Sequence, residues 1–344
     1  MKNTTLTAAL VAGTMTFGAS AKADILDVHM NIPKDLTFLA DGAKLMDKSL
    51  RKMSGGNSGF QMYSAGELVP AGEILENVSS GAIPAGWSFL AQWGGQVPVG
   101  QIGGTPFGGT PADMAAWLHI GGGLEIVQRG FDPLNIKIMA CHVTAPEPGG
   151  WYNKEINSIE DFSGLKMRMA GVGARVLNEL GASAQYLPAG EIYLALERGR
   201  IDATEFSLPI IDKDLGFNQI AKYYYYPGWH QTSAADVLMI NMDVWNGMSE
   251  QEQGMYEAAC QTSLQWTLAY APSAQTPQIE EFEAGGTIVK RFPDDVLTQL
   301  RAATERVLAS EAAKDPLYAE ALESYNAFVA SAGRWNSLQT LPAE

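Results

Sequence analysis

Histidine, cysteine and positive charge are all scarce in this sequence. The four histidines, His29, His119, His142 and His230, show no metal-ligand spacing, and the two cysteines, Cys141 and Cys260, lie far apart. No Cys-x-x-Cys or His-Glu-x-x-His pattern occurs, which removes the usual zinc and redox signals. Nor is there a Walker loop or a Gly-x-Ser-x-Gly elbow, so neither nucleotide hydrolysis nor a serine hydrolase is announced. Lys and Arg number 23 against 38 Asp and Glu, a net charge of −15. Such a surface repels phosphate backbones and anionic lipid, which argues against nucleic acid and membrane surfaces as partners. An organic anion can still bind where a local cation overrides the global field, so an arginine placed in a pocket is informative.

Long apolar runs are missing after the first residues. At the start, Lys2 precedes an apolar stretch from Leu6 to Ser20, and Ala21-Lys22-Ala23 makes an Ala-x-Ala cleavage site. That pattern predicts a secretory signal peptide over residues 1–23, with the mature chain beginning at Asp24. The stretch is shorter than the ~20 residues that span a bilayer. Export to an oxidising compartment would let Cys141 and Cys260 pair if their Cα atoms came within about 7 Å. Buried free cysteine is common, however, so the unpaired state is the expectation.

Strands and helices alternate along the rest. Asp24 to Met30 reads as a strand, and Leu39, Ala43, Met46, Leu50 and Met53 recur at helical spacing. Gly59 to Ser64 is a second strand and Leu68 to Val78 a second helix. Ala112 to Val127 is helical by pattern, with a weak point at Gly121-Gly122-Gly123. Ile136 to Cys141 is a strand running into a polar, Pro- and Gly-bearing passage, His142 to Gly150, a candidate crossing between lobes. Strands Leu165 to Met169 and Ile201 to Phe206 follow, with helices from Gly173 and over Glu191 to Arg198. Tyr223 to Tyr226 and Val237 to Asn241 return the chain, before helices at Met255 to Ala269 and Pro293 to Ala332. The pattern predicts an α/β protein of two lobes, and interfaces between lobes are favoured ligand sites.

Arg168 ends an apolar strand at the mouth of a glycine turn. A guanidinium there can grip a carboxylate with two parallel hydrogen bonds; a surface salt bridge is the plain alternative. Glu205, ending Ile201 to Phe206, can offer oxygen to a hard cation or be an exposed loop carboxylate. Gly171-Val172-Gly173 begins a dinucleotide fingerprint, but Val176 takes the third glycine position, so the turn reads as structural. His230, beside Trp229 at a crossing, is the histidine best placed for chemistry.

The runs "GGWYNKEINSIEDFSGLKMRMAGVGARVLNELGA", "LPAGEIYLALERGRIDATEF" and "LGFNQIAKYYYYPGWHQ" resemble the solute-binding proteins of TRAP transporters. The branch resembled binds 2-oxo and 2-hydroxy monocarboxylates. "AGELVPAGEILENVSSGAI" and "WLHIGGGLEIVQRGFDPLNI" match the same branch upstream. The resemblance implies a two-lobed periplasmic solute-binding fold with hinge strands and long C-terminal helices. It implies a first lobe over 24–143, a second over 144–232, and returning strands and helices over 233–344 that span both.

Further expectations come from the same resemblance, residue by residue. Arg168 matches the arginine that binds the substrate carboxylate, and Glu205 the glutamate that ligates sodium or calcium. Phe206 stands where the branch has a tryptophan whose carbonyl also ligates the metal; the carbonyl survives, but the smaller ring alters the wall. Glu147 stands where a metal-binding glutamine is usual and Gln231 where a glutamate is usual, an exchange that preserves oxygen donors. Glu147 is accordingly a candidate for both metal and substrate contact, and Phe89 and Trp93 are expected to face the cleft. Membrane subunits and a homodimer through the C-terminal helix are implied partners. The rival readings are a metal-free binder of a sulfonate or sugar acid, and a periplasmic hydrolase or lyase using Glu205 and His230.

Overall fold

The protein is described here by a computed structural model covering residues 24–341; the expected signal peptide, 1–23, lies outside the described residues. Eleven strands are described: β1 (Asp24–Met30), β2 (Ser58–Tyr63), β3 (Ala85–Phe89), β4 (Ile136–Thr144), β5 (Gly150–Tyr152), β6 (Lys166–Arg168), β7 (Ser183–Gln185), β8 (Ala203–Thr204), β9 (Tyr223–Tyr226), β10 (Ala234–Asn241) and β11 (Ile288–Arg291). They form a five-stranded sheet, β2-β1-β3-β10-β4, and a six-stranded sheet, β11-β9-β5-β8-β6-β7. The chain therefore builds the first sheet, leaves to build the second, returns through β10, and ends β11 back in the second.

The first sheet is covered on both faces, as the unbroken apolar runs of β4 and β10 require. Ile136, Ile138 and Ala140 face one core with Val237 and Met239, while Met139 and Cys141 face the other with Leu238 and Ile240. The register of β10 on β4 slips between Asp236 and Val237, which face His142 and Ala140. Cys141 is thus the extra residue of a bulge, and the bulge re-aims the end of β4. Pairing extends β4 to Thr144, so the polar passage expected from His142 is a crossing only after that residue.

The glycine-rich weak point becomes a full break: helices Pro111–His119 and Gly123–Phe131 are separate, with Gly122 at φ 80° between them. Helix Glu250–Ala284 is longer than its sequence pattern suggests, starting at a Ser249–Glu252 capping box and containing Pro272 and Pro277. Its 35 residues run from beneath the first sheet, where Tyr256, Ala259 and Cys260 pack, to the second, where Phe282 packs on Trp151 and Tyr224. The last helical region splits into Asp294–Ala312 and Pro316–Gln339. Cys141 and Cys260 are joined in a disulfide with Cα atoms 4.5 Å apart, against the expectation of free thiols. The reason is that Glu250–Ala284 crosses the very face of β4 on which Cys141 lies.

Candidate functional site

In the second sheet, β6 and β8 run parallel with Arg168 opposite Thr204. Arg168 and Glu205 thus meet at the C-terminal strand ends, where open α/β sheets place their ligands. Neither is a surface group: each residue is 4% exposed. Arg168 Nη1 donates to the Glu205 carbonyl at 2.7 Å and to Glu205 Oε1 at 2.9 Å, and Nε donates to the Leu187 carbonyl at 3.2 Å. Its guanidinium carbon lies 5.4 Å from the Tyr186 ring centre and 5.1 Å from that of Phe206, stacked between two aromatic faces. Among the described residues, Nη2 donates to nothing.

Glycine supplies the packing here. A Cβ on Gly173 would sit 2.8 Å from Met169 Sδ and 2.9 Å from His230 Cβ. The Gly171-Val172-Gly173 turn therefore seats helix Gly171–Glu179 on the second crossing, the structural role its sequence suggested. The Ala170 N–H, just before that helix, donates to Glu205 Oε1 at 2.7 Å.

Two crossings bring the remaining acids and His230 in. The Glu147 N–H donates to the Gln231 carbonyl at 3.2 Å, tying the first crossing to the second. Gly228 allows this approach, since a Cβ there would stand 2.0 Å from the Glu147 carbonyl oxygen. Backbone cannot yield as a side chain does, so Gly228→Ala should cost about 2–3 kcal/mol in chemical denaturation and displace Glu147. An unchanged midpoint would show that the two crossings part freely.

Glu147, Glu205 and His230 form a buried cluster whose nearest donor atoms all lie within 4.8 Å of one another. His230 Nε2 stands 3.4 Å from Glu147 Oε2 and 3.8 Å from Glu205 Oε2. Neither ring nitrogen of His230, nor Glu147 Oε2, makes an aligned hydrogen bond. Buried polar atoms left so are uncommon and point to a missing partner. Burial pushes the Glu147 carboxyl up to about 7, with His230 beside it pulling the other way.

Behind this cluster, Asp212 accepts from Trp151 Nε1 at 2.9 Å, from the Tyr224 hydroxyl at 2.8 Å and from the Ser207 N–H at 3.3 Å. Burial nevertheless pushes Asp212 up to about 8 from 3.8. The folded protein thus holds this proton more tightly than the unfolded chain, and the stability gained is lost as pH rises through the window from about 4 to 8. Thermal midpoints should fall between pH 6 and pH 9, and Asp212→Asn should flatten the upper part of that profile. An identical slope in the variant would assign the dependence elsewhere.

A cavity of about 350 Å³ lies between the sheets and is lined from both. Arg168, Glu147, Glu205, Phe206, Gln231 and Phe89 all line it, so the structure gathers these sequence candidates in one place. Trp93 does not join them. It is 2% exposed and packs in the first-lobe core with Leu90 and Ile102, because its helical turn (Leu90–Gly95) rotates it away from the cleft.

A model of the bacterial extracellular solute-binding proteins, family 7, matches residues 29–315. The chain belongs to that family. It is therefore a transport receptor in class, not an enzyme, even though His230 does lie near two carboxylates. A monocarboxylate 2-oxoacid-binding periplasmic protein of Nostoc sp. is 32% identical over 99% of this chain and 94% of its own length. The solved TRAP periplasmic solute-binding protein of Colwellia psychrerythraea, with bound calcium and pyruvate, is 31% identical with a TM-score of 0.88, covering 92% of this chain and 97% of that one. Its counterpart from Pseudoalteromonas atlantica, with bound sodium and pyruvate, is 29% identical with a TM-score of 0.88, covering 93% and 100%.

In this family 7 protein, several cavity residues escaped the sequence reading. Arg175 lines the cavity and donates to Gln101 from the first lobe and to Glu311 at 2.9 Å. Tyr186 stacks on Arg168, and Asp236 lines the first-sheet wall. A lone acid within the apolar run Ala234 to Asn241 was the legible signal for Asp236. Of the other histidines, His29 stacks on Tyr63, and His119 Nε2 meets the Ala140 carbonyl at 2.9 Å. No described helix is long and apolar enough to cross a membrane.

Proposed function

We propose that this protein is the extracytoplasmic receptor of a TRAP transporter that captures a 2-oxo or 2-hydroxy monocarboxylate with sodium or calcium. The observation that carries the reading is Arg168, a buried guanidinium stacked between two rings with Nη2 uncommitted at the cavity wall. Nη2 receives the substrate carboxylate, while Phe206 and Phe89 supply apolar walls. The buried oxygens fit a hard cation: Glu205, Glu147, the Phe206 carbonyl and the Gln231 amide would hold it, and the bare Glu147 Oε2 is the atom that asks for it. Such a cation supplies charge compensation to the carboxylate and its neighbouring oxygen. The lobes over 24–143 and 144–232, with 233–344 spanning both, share the contacts, so ligand favours the closed form by its differential affinity.

The closed form would be read by membrane subunits, after export directed by residues 1–23 to the periplasm. The exposed Trp335, Leu338 and Leu341 at the end of the chain, 64%, 72% and 84% exposed, support a homodimer through the C-terminal helix. A thermal-shift series tests the ligand reading. Pyruvate at a hundred times its dissociation constant should stabilise the protein by about 2.7 kcal/mol. Removing calcium with a chelator, or replacing sodium, should abolish that shift for whichever ion is used. Failure of every 2-oxo and 2-hydroxy acid to stabilise the protein would sink the reading.

A further inference from the structure

The first-sheet wall of the cavity carries polar groups that neither Arg168 nor the cation cluster uses. Asp236 on β10 lines the cavity and is 7% exposed. Sheet register fixes its neighbours, Phe89 on β3 and His142 on β4. His142 is fully buried, with Nε2 3.3 Å from the Phe38 carbonyl and Nδ1 2.9 Å from Asp236 Oδ2. Phe38 holds φ at 64°, a conformation rare outside glycine, and its N–H donates to Asp41 at 2.8 Å. That backbone is held in a costly shape, with its carbonyl presented to His142.

His142 and Asp236 are thus in close contact, although neither Nδ1 nor Oδ2 makes an aligned hydrogen bond. Among the described residues, no group donates to Asp236, which leaves its second oxygen for the cavity. Asn31 and Gln92 line the same wall, and the Asn31 amino group donates to the Gln92 carbonyl at 2.5 Å. The Asn31 carbonyl and the Gln92 amino group are left over.

An alkyl group pressed against this wall would strip water from Asp236 and return no bond, a cost a hydroxyl avoids. There is also room. The cavity of about 350 Å³ falls in the range of roughly 300–1,000 Å³ that accommodates ligands well above the size of the three-carbon acid pyruvate. We infer that the substrates of this protein are 2-oxo or 2-hydroxy monocarboxylates bearing a hydroxyl remote from the carboxylate, which donates to Asp236 as positioned by His142. The inference rests on the carboxylate reading proposed above and narrows its substrate class.

Isosteric acids test it by calorimetry on the full mature chain with sodium and calcium present. One pair is 2-oxobutanoate and 3-hydroxypyruvate; a longer pair is 2-oxopentanoate and 4-hydroxy-2-oxobutanoate. The hydroxyl member should bind at least about tenfold more tightly in one pair or both. Asp236→Ala should erase that preference, and Asp236→Asn, which keeps an accepting oxygen, should retain part of it. Equal binding within both pairs by the wild-type protein overturns the inference, whether or not the variants fold, and so does an undiminished preference in Asp236→Ala. Binding of pyruvate without any hydroxyl preference defeats this inference alone. Binding of no acid at all defeats the carboxylate reading, and this inference with it.

Discussion

Arg168→Ala should lower the affinity for pyruvate-class acids by roughly 10²–10³-fold, the largest effect expected of any cavity substitution. Truncating one partner of a buried charge pair costs about 3–5 kcal/mol, and every 1.4 kcal/mol is about tenfold in affinity. Two losses combine here. The ligand loses its cation, and Glu205 Oε1 loses a donor at 2.9 Å while remaining buried. Arg168→Lys should recover only part of the affinity, because one ammonium cannot reach the Leu187 carbonyl, Glu205 and the ligand together. The double variant Arg168→Ala/Glu205→Gln separates the effects. It removes the stranded charge, so thermal stability should recover while binding does not. A folded Arg168→Ala protein that bound pyruvate within threefold of wild type would remove Arg168 from the site.

Loss of the Cys141–Cys260 bridge should be the largest stability effect, about 4–5 kcal/mol. The bridge closes a loop of 119 residues, and chain-entropy arguments give long loops the greatest constraint on the unfolded state. Both cysteines are buried, and the bridge ties β4 to helix Glu250–Ala284. Such a bond persists in an oxidising compartment, in keeping with a family of extracellular receptors. Denaturant midpoints of the Cys141→Ser/Cys260→Ser variant and of the oxidised wild-type protein measure the effect. The same midpoint for wild type with and without reductant would show that the bridge contributes nothing.

The long, strongly patterned elements were legible in the sequence, and the short ones only in part. β1 and helix Asp41–Met53 stand close to where their periodicity placed them. β6 and β8 pair over only three and two residues inside the strands expected at Leu165 to Met169 and Ile201 to Phe206, whereas β5 and β7, of three residues each, are too short to show a period and exist because neighbouring strands supply their partners. The resemblance places Trp93 at the cleft, but an aromatic in a glycine-bearing passage suits either a wall or a core. Only its helical turn decides between them. The sequence pairs His230 with Glu205 only in the rival enzyme reading, and the structure sets it within 3.8 Å of both Glu147 and Glu205.

By itself, the sequence determined the α/β class and pointed to Arg168 and Glu205, while the resemblance of several segments to a known family added the candidates Glu147, Phe206, Gln231 and Phe89. Periodicity and residue chemistry are local properties, and local properties can be read one segment at a time. Tertiary structure alone decided that Cys141 and Cys260 pair, and that Arg168 is stacked between Tyr186 and Phe206. It also decided that Asp236 lines the cavity with His142 at 2.9 Å from its carboxylate. Each of these depends on a separation between residues far apart in the chain, set by sheet register, a bulge and the path of one long helix. No single segment carries that distance.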